Sequence, residues 1–151
     1  MITLKGYQIT DLIYESVNSQ IYRAIREEDK QGIILKVLRS DYPTAAELTR
    51  YKQEYEITRK LNRVGVINAY SLEKYGNSLA IAIEDIDAKS LKSWMSEKTW
   101  TLEEFLELSI KIAKALSQVH AENIVHKDIN PSNIIFNPAT GELKIIDFGI
   151  A

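Results

Sequence analysis

The 151-residue chain contains no cysteine. Disulfides, thiolate catalysis and cysteine metal sites are therefore excluded. It has only two histidines, too few for a His-rich metal site. No basic excess exists either: 19 Lys and Arg stand against 21 Asp and Glu, a net charge of −2, and the cations are spread thinly. That removes the electrostatic footprint of a nucleic-acid binder. The longest apolar run, Leu79 to Ile83, is far too short to span a bilayer. The opening "MITLKGYQIT" lacks the charged-then-apolar layout of a signal peptide, so the expectation is a cytoplasmic protein without membrane partners. There are no internal repeats and no low-complexity tract. What remains is 45% apolar and 26% charged, an ordinary soluble composition with enough length for a real core.

The first 86 residues read as a five-stranded sheet with one inserted helix. "YQITDLIY", "QIYRAI" and "GIILKVL" are rich in Ile, Leu, Val and Tyr and partly alternate. Short polar links make them an antiparallel meander. "TAAE" at 44 to 47 is a capping box that opens a helix running to about Asn62. "VINAYSLEKY" and "SLAIAIEDI" follow, joined at Gly76-Asn77, a hairpin turn.

The second part is helical at its start. "SLKSWMSE" is a short helix candidate, and "TLEE" at 101 to 104 is a second capping box. From there Leu102, Phe105, Leu106, Ser109, Ile112, Ala113, Leu116 and Val119 form one helical face. Glu103, Glu104 and Glu107 read as its solvated side, and His120 at its end reads as core packing. "NPATG" is a turn, and "ELKIIDFGIA" ends the sequence three residues past Phe148. The reading of that ending is an incomplete gene, a fragment or a split reading frame.

Four positions carry possible chemistry. Asp128 and Asn133, in "IVHKDINPSNII", are residue types that turns favour for their local hydrogen bonds. They are equally the oxygen ligands and base of an active loop. Asp147 follows at the end of the strand "LKII". Two carboxylates and an amide at the ends of adjacent strands can converge on one point, and such oxygen donors suit Mg²⁺ together with phosphates. Lys36 sits inside the apolar strand "IILKVL": either it faces water at an edge, or it is buried and needs a partner, for which Glu54 is the natural candidate.

In this order the residues resemble the protein kinase family. Its pattern is a strand-three Lys, a helix Glu, H-R-D-x-x-x-x-N and D-F-G. The chain offers Lys36, Glu54, "HKDINPSN" from His126 to Asn133 and "DFG" from Asp147 to Gly149. The resemblance implies an α+β, protein-kinase-like fold. It would have an N-lobe at 1–86, with a five-stranded antiparallel sheet and one helix, and an incomplete helical C-lobe at 87–151. It implies a Ser/Thr kinase using ATP and Mg²⁺ on a protein substrate. Lys36 would hold the α- and β-phosphates, oriented by Glu54. Asp147 and Asn133 would bind the metal ions, and Asp128 would take or orient the substrate hydroxyl proton. Ile83 would lie behind the adenine, with the backbone of Glu84 and Ile86 bonding the base. His126 and Phe148 would be structural.

The pattern is broken in places. The Gly-rich loop falls on Tyr14, Ser16, Ser19 and Ile21, with no glycine at its three glycine positions. The loop would then rely on amides helped by Ser16 or Ser19. The catalytic-loop Arg is Lys127, which makes no bidentate phosphate contact. The Lys expected two residues after the Asp is Asn130. The missing glycines and Asn130 favour a second reading, a nucleotide-binding pseudokinase module, against which the retained Asp128 argues. A third, a relative of aminoglycoside or choline kinases, fits "HKDINPSN" and "DFG" less well. "GYQITDLIYESVNSQIYRAIR" and "HKDINPSNIIFNPATGELKIIDFGIA" further resemble the N-terminal kinase domain of cyanobacterial hybrid proteins. That likeness implies downstream sensor and histidine-kinase domains in the same polypeptide.

Overall fold

A computed structural model describes residues 2–151. The chain divides into two compact units. One holds the chain through Arg59 together with Ala69–Asp85, the other Lys60–Asn68 and Ile86–Ala151.

The first unit is a five-stranded antiparallel sheet of order β1-β2-β3-β5-β4. Its strands are β1 (Tyr7–Glu15), β2 (Ser19–Arg26), β3 (Gly32–Leu38), β4 (Ala69–Tyr75) and β5 (Ser78–Glu84). Side chains alternate across a strand, so the register sorts them into two faces. Tyr22, Ala24, Ile33, Leu35, Val37, Ala80 and Ala82 share one face and bury together with Leu4. Leu38, Leu79 and Ile81 lie on the other, packed against Tyr51 and Tyr55 of helix α1 (Ala45–Leu61). That helix opens with the expected box: the Thr44 amide donates to Glu47 Oε2 at 2.7 Å, and the Glu47 amide donates to Thr44 Oγ1 at 3.2 Å.

The second unit is built on a three-stranded sheet, β6 (Lys89–Ser90), β7 (Ile134–Asn137) and β8 (Glu142–Ile145), in that order. Helix α2 (Leu91–Glu97) is capped by Ser90. Helix α3 (Leu102–Ala121) is capped by Thr101, which accepts from the Glu104 amide at 3.1 Å. Leu61, Val66, Val119, Ile145 and Phe148 are buried here.

The face of α3 differs from its periodicity. Ala115 and Val119 are its buried residues, whereas Leu102, Phe105 and Leu106 are exposed. Periodicity identifies an apolar stripe, but burial needs a neighbour, and α3 packs on β8 through its C-terminal half. His120 is exposed rather than packed in the core.

Candidate functional site

In the first unit, the register places Lys36 between Ile21 of β2 and Ile81 of β5. This is the face that α1 covers. Lys36 Nζ lies 2.7 Å from Glu54 Oε1, with the two side chains 15% and 8% exposed. Charges so far out of water require partners, and each supplies the other's. The edge-lysine alternative is thereby set aside. Thr58 Oγ1 donates to the Glu54 carbonyl at 2.7 Å, one turn further along α1. Lys36 Nζ also stands 5.6 Å from the centre of the Tyr51 ring, within cation–π reach.

Ile83 sits on the same face as Lys36. Its β3 partner is Ile34, which the motif reading did not single out. Period-two alternation from Lys36 would have found Ile34, since residues i and i−2 share a face. Glu84 pairs with Ile33 at the end of β5. The stretch over Ser16 and Ser19 is a tight turn. The Ser16 amide donates to the Ser19 carbonyl at 2.8 Å, and the Ser19 amide to Ser16 Oγ at 3.0 Å. None of Tyr14, Ser16 and Ser19 has a positive φ, so this turn makes no demand that only glycine meets.

In the second unit, a short 3₁₀ turn, Pro131–Asn133, follows the loop that carries Asp128. His126 is 1% exposed and anchors that loop from below. Its Nδ1 accepts from the Asp128 amide at 3.1 Å, so Nε2 carries the proton and donates to the Ile146 carbonyl at 2.8 Å. The Phe148 ring meets it edge-on at 4.8 Å between centroids.

The Asp128 carboxylate is fixed by two amides. Asn130 Nδ2 donates to Oδ1 at 3.0 Å, and Asn133 Nδ2 donates to Oδ2 at 3.1 Å. Both nitrogens also reach the Asp128 carbonyl, at 3.2 and 3.0 Å. Asn130 further caps the 3₁₀ turn, accepting from the Ser132 amide at 2.9 Å. Asp128 itself is exposed and Asn133 is buried. The Ile146 amide donates to the Asn133 carbonyl at 3.0 Å, which ties Asn133 to the residue just before Asp147. Asp147 has a φ of 62°, a strained value for a non-glycine residue, and its Oδ1 accepts from the Gly149 amide at 3.2 Å. The Ile86 carbonyl accepts from Asn137 Nδ2 at 3.0 Å.

The donor set fits a magnesium ion that depends on its substrate. With Asn133 Nδ2 spent on Asp128, Oδ1 is the atom that side chain would turn to a metal, and Asp147 would add a carboxylate. Among the described residues no group of three or more His, Cys, Asp or Glu is placed to hold a metal. An ion here needs phosphate oxygens and water to complete its shell, as Mg²⁺ in nucleotide sites does.

The family model described as the protein kinase domain matches residues 7–151. The chain is 29% identical over 147 residues to a probable serine/threonine-protein kinase of Clostridium perfringens, covering 96% of this chain and 21% of that protein. It is 28% identical over 158 residues to serine/threonine-protein kinase PknA of Mycobacterium tuberculosis, covering 99% and 36%. It is 30% identical over 155 residues to serine/threonine-protein kinase pkn3 of Myxococcus xanthus, covering 96% and 28%. The chain thus spans between 21% and 36% of the length of these relatives.

Proposed function

Because the chain belongs to the protein kinase domain family, we propose that its protein transfers the γ-phosphoryl group of ATP to Ser or Thr hydroxyls of a protein substrate. The observation that carries this reading is the double amide clamp on Asp128. A residue that only filled a turn would not need both carboxylate oxygens aimed. In this reading Asp128 orients the substrate hydroxyl and accepts its proton as that oxygen attacks the γ-phosphorus and ADP leaves. Lys36, held by Glu54, neutralises the α- and β-phosphates. Asn133 and Asp147 would hold Mg²⁺, which would supply neutralisation of phosphate charge. Ile21, Ile34 and Ile83 offer an apolar face for adenine, with the backbone of Glu84 and Ile86 bonding its edge. In this reading residues 1–86, apart from the 60–68 segment that belongs with the other unit, act as the nucleotide-holding lobe, and 87–151 as the lobe of the catalytic loop.

We also place the protein in the cytoplasm, in line with its lack, among the described residues, of a helix long and apolar enough to cross a membrane. Its partners are the protein substrate or downstream sensor and histidine-kinase domains of the same polypeptide.

A second reading is a nucleotide-binding module without transfer. It is favoured by the Ser16 hydroxyl, which is spent inside its own turn, and by Asn130 in place of a lysine. Asp128→Asn separates the two. In the native gene product this variant should lower phosphate transfer by about 10²–10⁴, while MgATP binding stays within roughly twofold. Unchanged activity in the variant, or none in the parent with MgATP still bound, sinks the enzyme reading.

A further inference from the structure

Glycines in a phosphate loop let the chain come close to the phosphates and adjust to them. This loop has a serine at its third glycine position, and that serine is tied down. Ser19 is 9% exposed and Tyr51 5% exposed. Their hydroxyls are hydrogen-bonded to each other. The pairing joins the start of β2 to α1. Other bonds hold the same turn: the Arg39 amide donates to the Asn18 carbonyl at 2.8 Å, Arg39 Nη1 donates to the Ser16 carbonyl at 3.2 Å, and Arg39 pairs with Glu15 at 2.6 Å.

Tyr51 reaches the other way as well. Its ring faces the Lys36 ammonium at 5.6 Å, and Tyr51 stands one turn before Glu54 on α1, where i and i+3 are neighbours. One side chain therefore touches both the turn over the phosphate loop and the lysine of the ion pair.

We propose that Tyr51 is a positioning residue that replaces loop flexibility with a fixed tie. Its hydroxyl holds Ser19, and through it the 15–19 turn, in register with Lys36 and Glu54. ATP then meets a preformed phosphate loop rather than one that closes around it. A preformed loop saves ordering entropy on binding and gives up the closer approach that glycine permits. This rests on the kinase reading above.

The test measures MgATP and adenosine affinity by calorimetry on the native gene product and five variants: Tyr51→Phe, Ser19→Ala, the double variant, Ser19→Gly and Ser19→Thr. Each hydroxyl deletion should weaken MgATP about threefold to tenfold. The double variant should be no weaker than either single one, since both remove one interaction. Adenosine, which lacks phosphates, should bind all of them equally. Ser19→Gly should lose affinity despite restoring a glycine, and Ser19→Thr, which keeps a hydroxyl, should recover it.

The proposal falls if Tyr51→Phe binds MgATP like the parent, if the two single losses add, or if Ser19→Gly binds more tightly. It falls equally if adenosine affinity drops in step, because that marks a general structural defect. If the parent binds no MgATP, the kinase reading itself fails and takes this proposal with it. A binding parent with an indifferent Tyr51→Phe removes only the tie.

Discussion

Asn130 donates to Asp128 Oδ1 at 3.0 Å and at the same time accepts from the Ser132 amide at 2.9 Å. A lysine two residues after the Asp could offer a phosphate its charge. It could not also accept from the Ser132 amide, because an ammonium has no acceptor. In the proposed phosphoryl transfer, Asn130 would trade a cation near the phosphate for a stiffer loop and a better-aimed carboxylate. It would then act through Asp128, the proposed proton acceptor, rather than on ATP. Asn130→Ala should reduce kcat about fivefold, the worth of one hydrogen bond near 1 kcal/mol, and leave KM for ATP within roughly twofold. Steady-state kinetics decide it: an unchanged kcat means Asn133 alone suffices to orient Asp128.

At the scale of elements, the β2–β3 turn shows how a local charge pair fixes a hairpin. Arg26 grips Asp29 with two bonds, Nε to Oδ1 at 3.0 Å and Nη2 to Oδ2 at 2.6 Å, and the Gln31 amide adds a third at 3.3 Å. The Arg26 guanidinium holds the Asp29 carboxyl down from 3.8 to about 2. A carboxylate depressed in the folded state contributes stability that is present above its unfolded value and disappears as pH falls through the folded one. The Tm gap between the parent and Asp29→Asn should therefore be constant above 3.8 and close as pH falls toward about 2. Melting curves across that window check it, and a gap that persists at the acid end assigns the effect to packing. Turns and caps like these were legible in the sequence, because Thr44, Glu47, Thr101 and Glu104 act on neighbours three residues away. The strands of the first sheet were legible for a similar reason, since a period of two survives without knowledge of the partner. Other features depend on what lies opposite. Ala115 rather than Phe105 is buried on α3, the two-residue strand β6 exists only as a partner of β7, and the hydroxyl of Tyr51 finds Ser19 at a separation of 32 residues. Nothing in the local sequence encodes those choices. Asp128, Asn133 and Asp147 were readable as a motif, but the amide clamp that joins Asn130 and Asn133 to Asp128 arises only from how the loop folds.

For the molecule as a whole, the chain does not divide at a single point. Residues 60–68, the end of α1 and the segment that leads to β4, belong with the unit that carries Asp128. They do so by adding a short parallel bridge to β8: the Ile145 amide donates to the Gly65 carbonyl at 2.8 Å, and the Ile67 amide donates to the Ile145 carbonyl at 3.2 Å. The Gly65 amide in turn donates to Gln118 Oε1 of α3 at 2.8 Å. This close approach demands glycine. A Cβ at position 65 would fall 2.6 Å from both the Cα and the Cβ of Ala115, and the helix backbone cannot yield as a long side chain would. Gly65→Ala should therefore cost about 1–3 kcal/mol, the range for overpacking a close-fitted site, and lower Tm by several degrees. The readout can be made specific, because both tryptophans of the chain, Trp94 and Trp100, lie in this second unit. Tryptophan fluorescence should show the full shift. Pairing Gly65→Ala with Ala115→Gly, which removes the opposing methyl, should return part of the loss, because one of the two 2.6 Å contacts disappears with it. If Gly65→Ala melts with the parent, the close approach of residue 65 to α3 is not what demands glycine there.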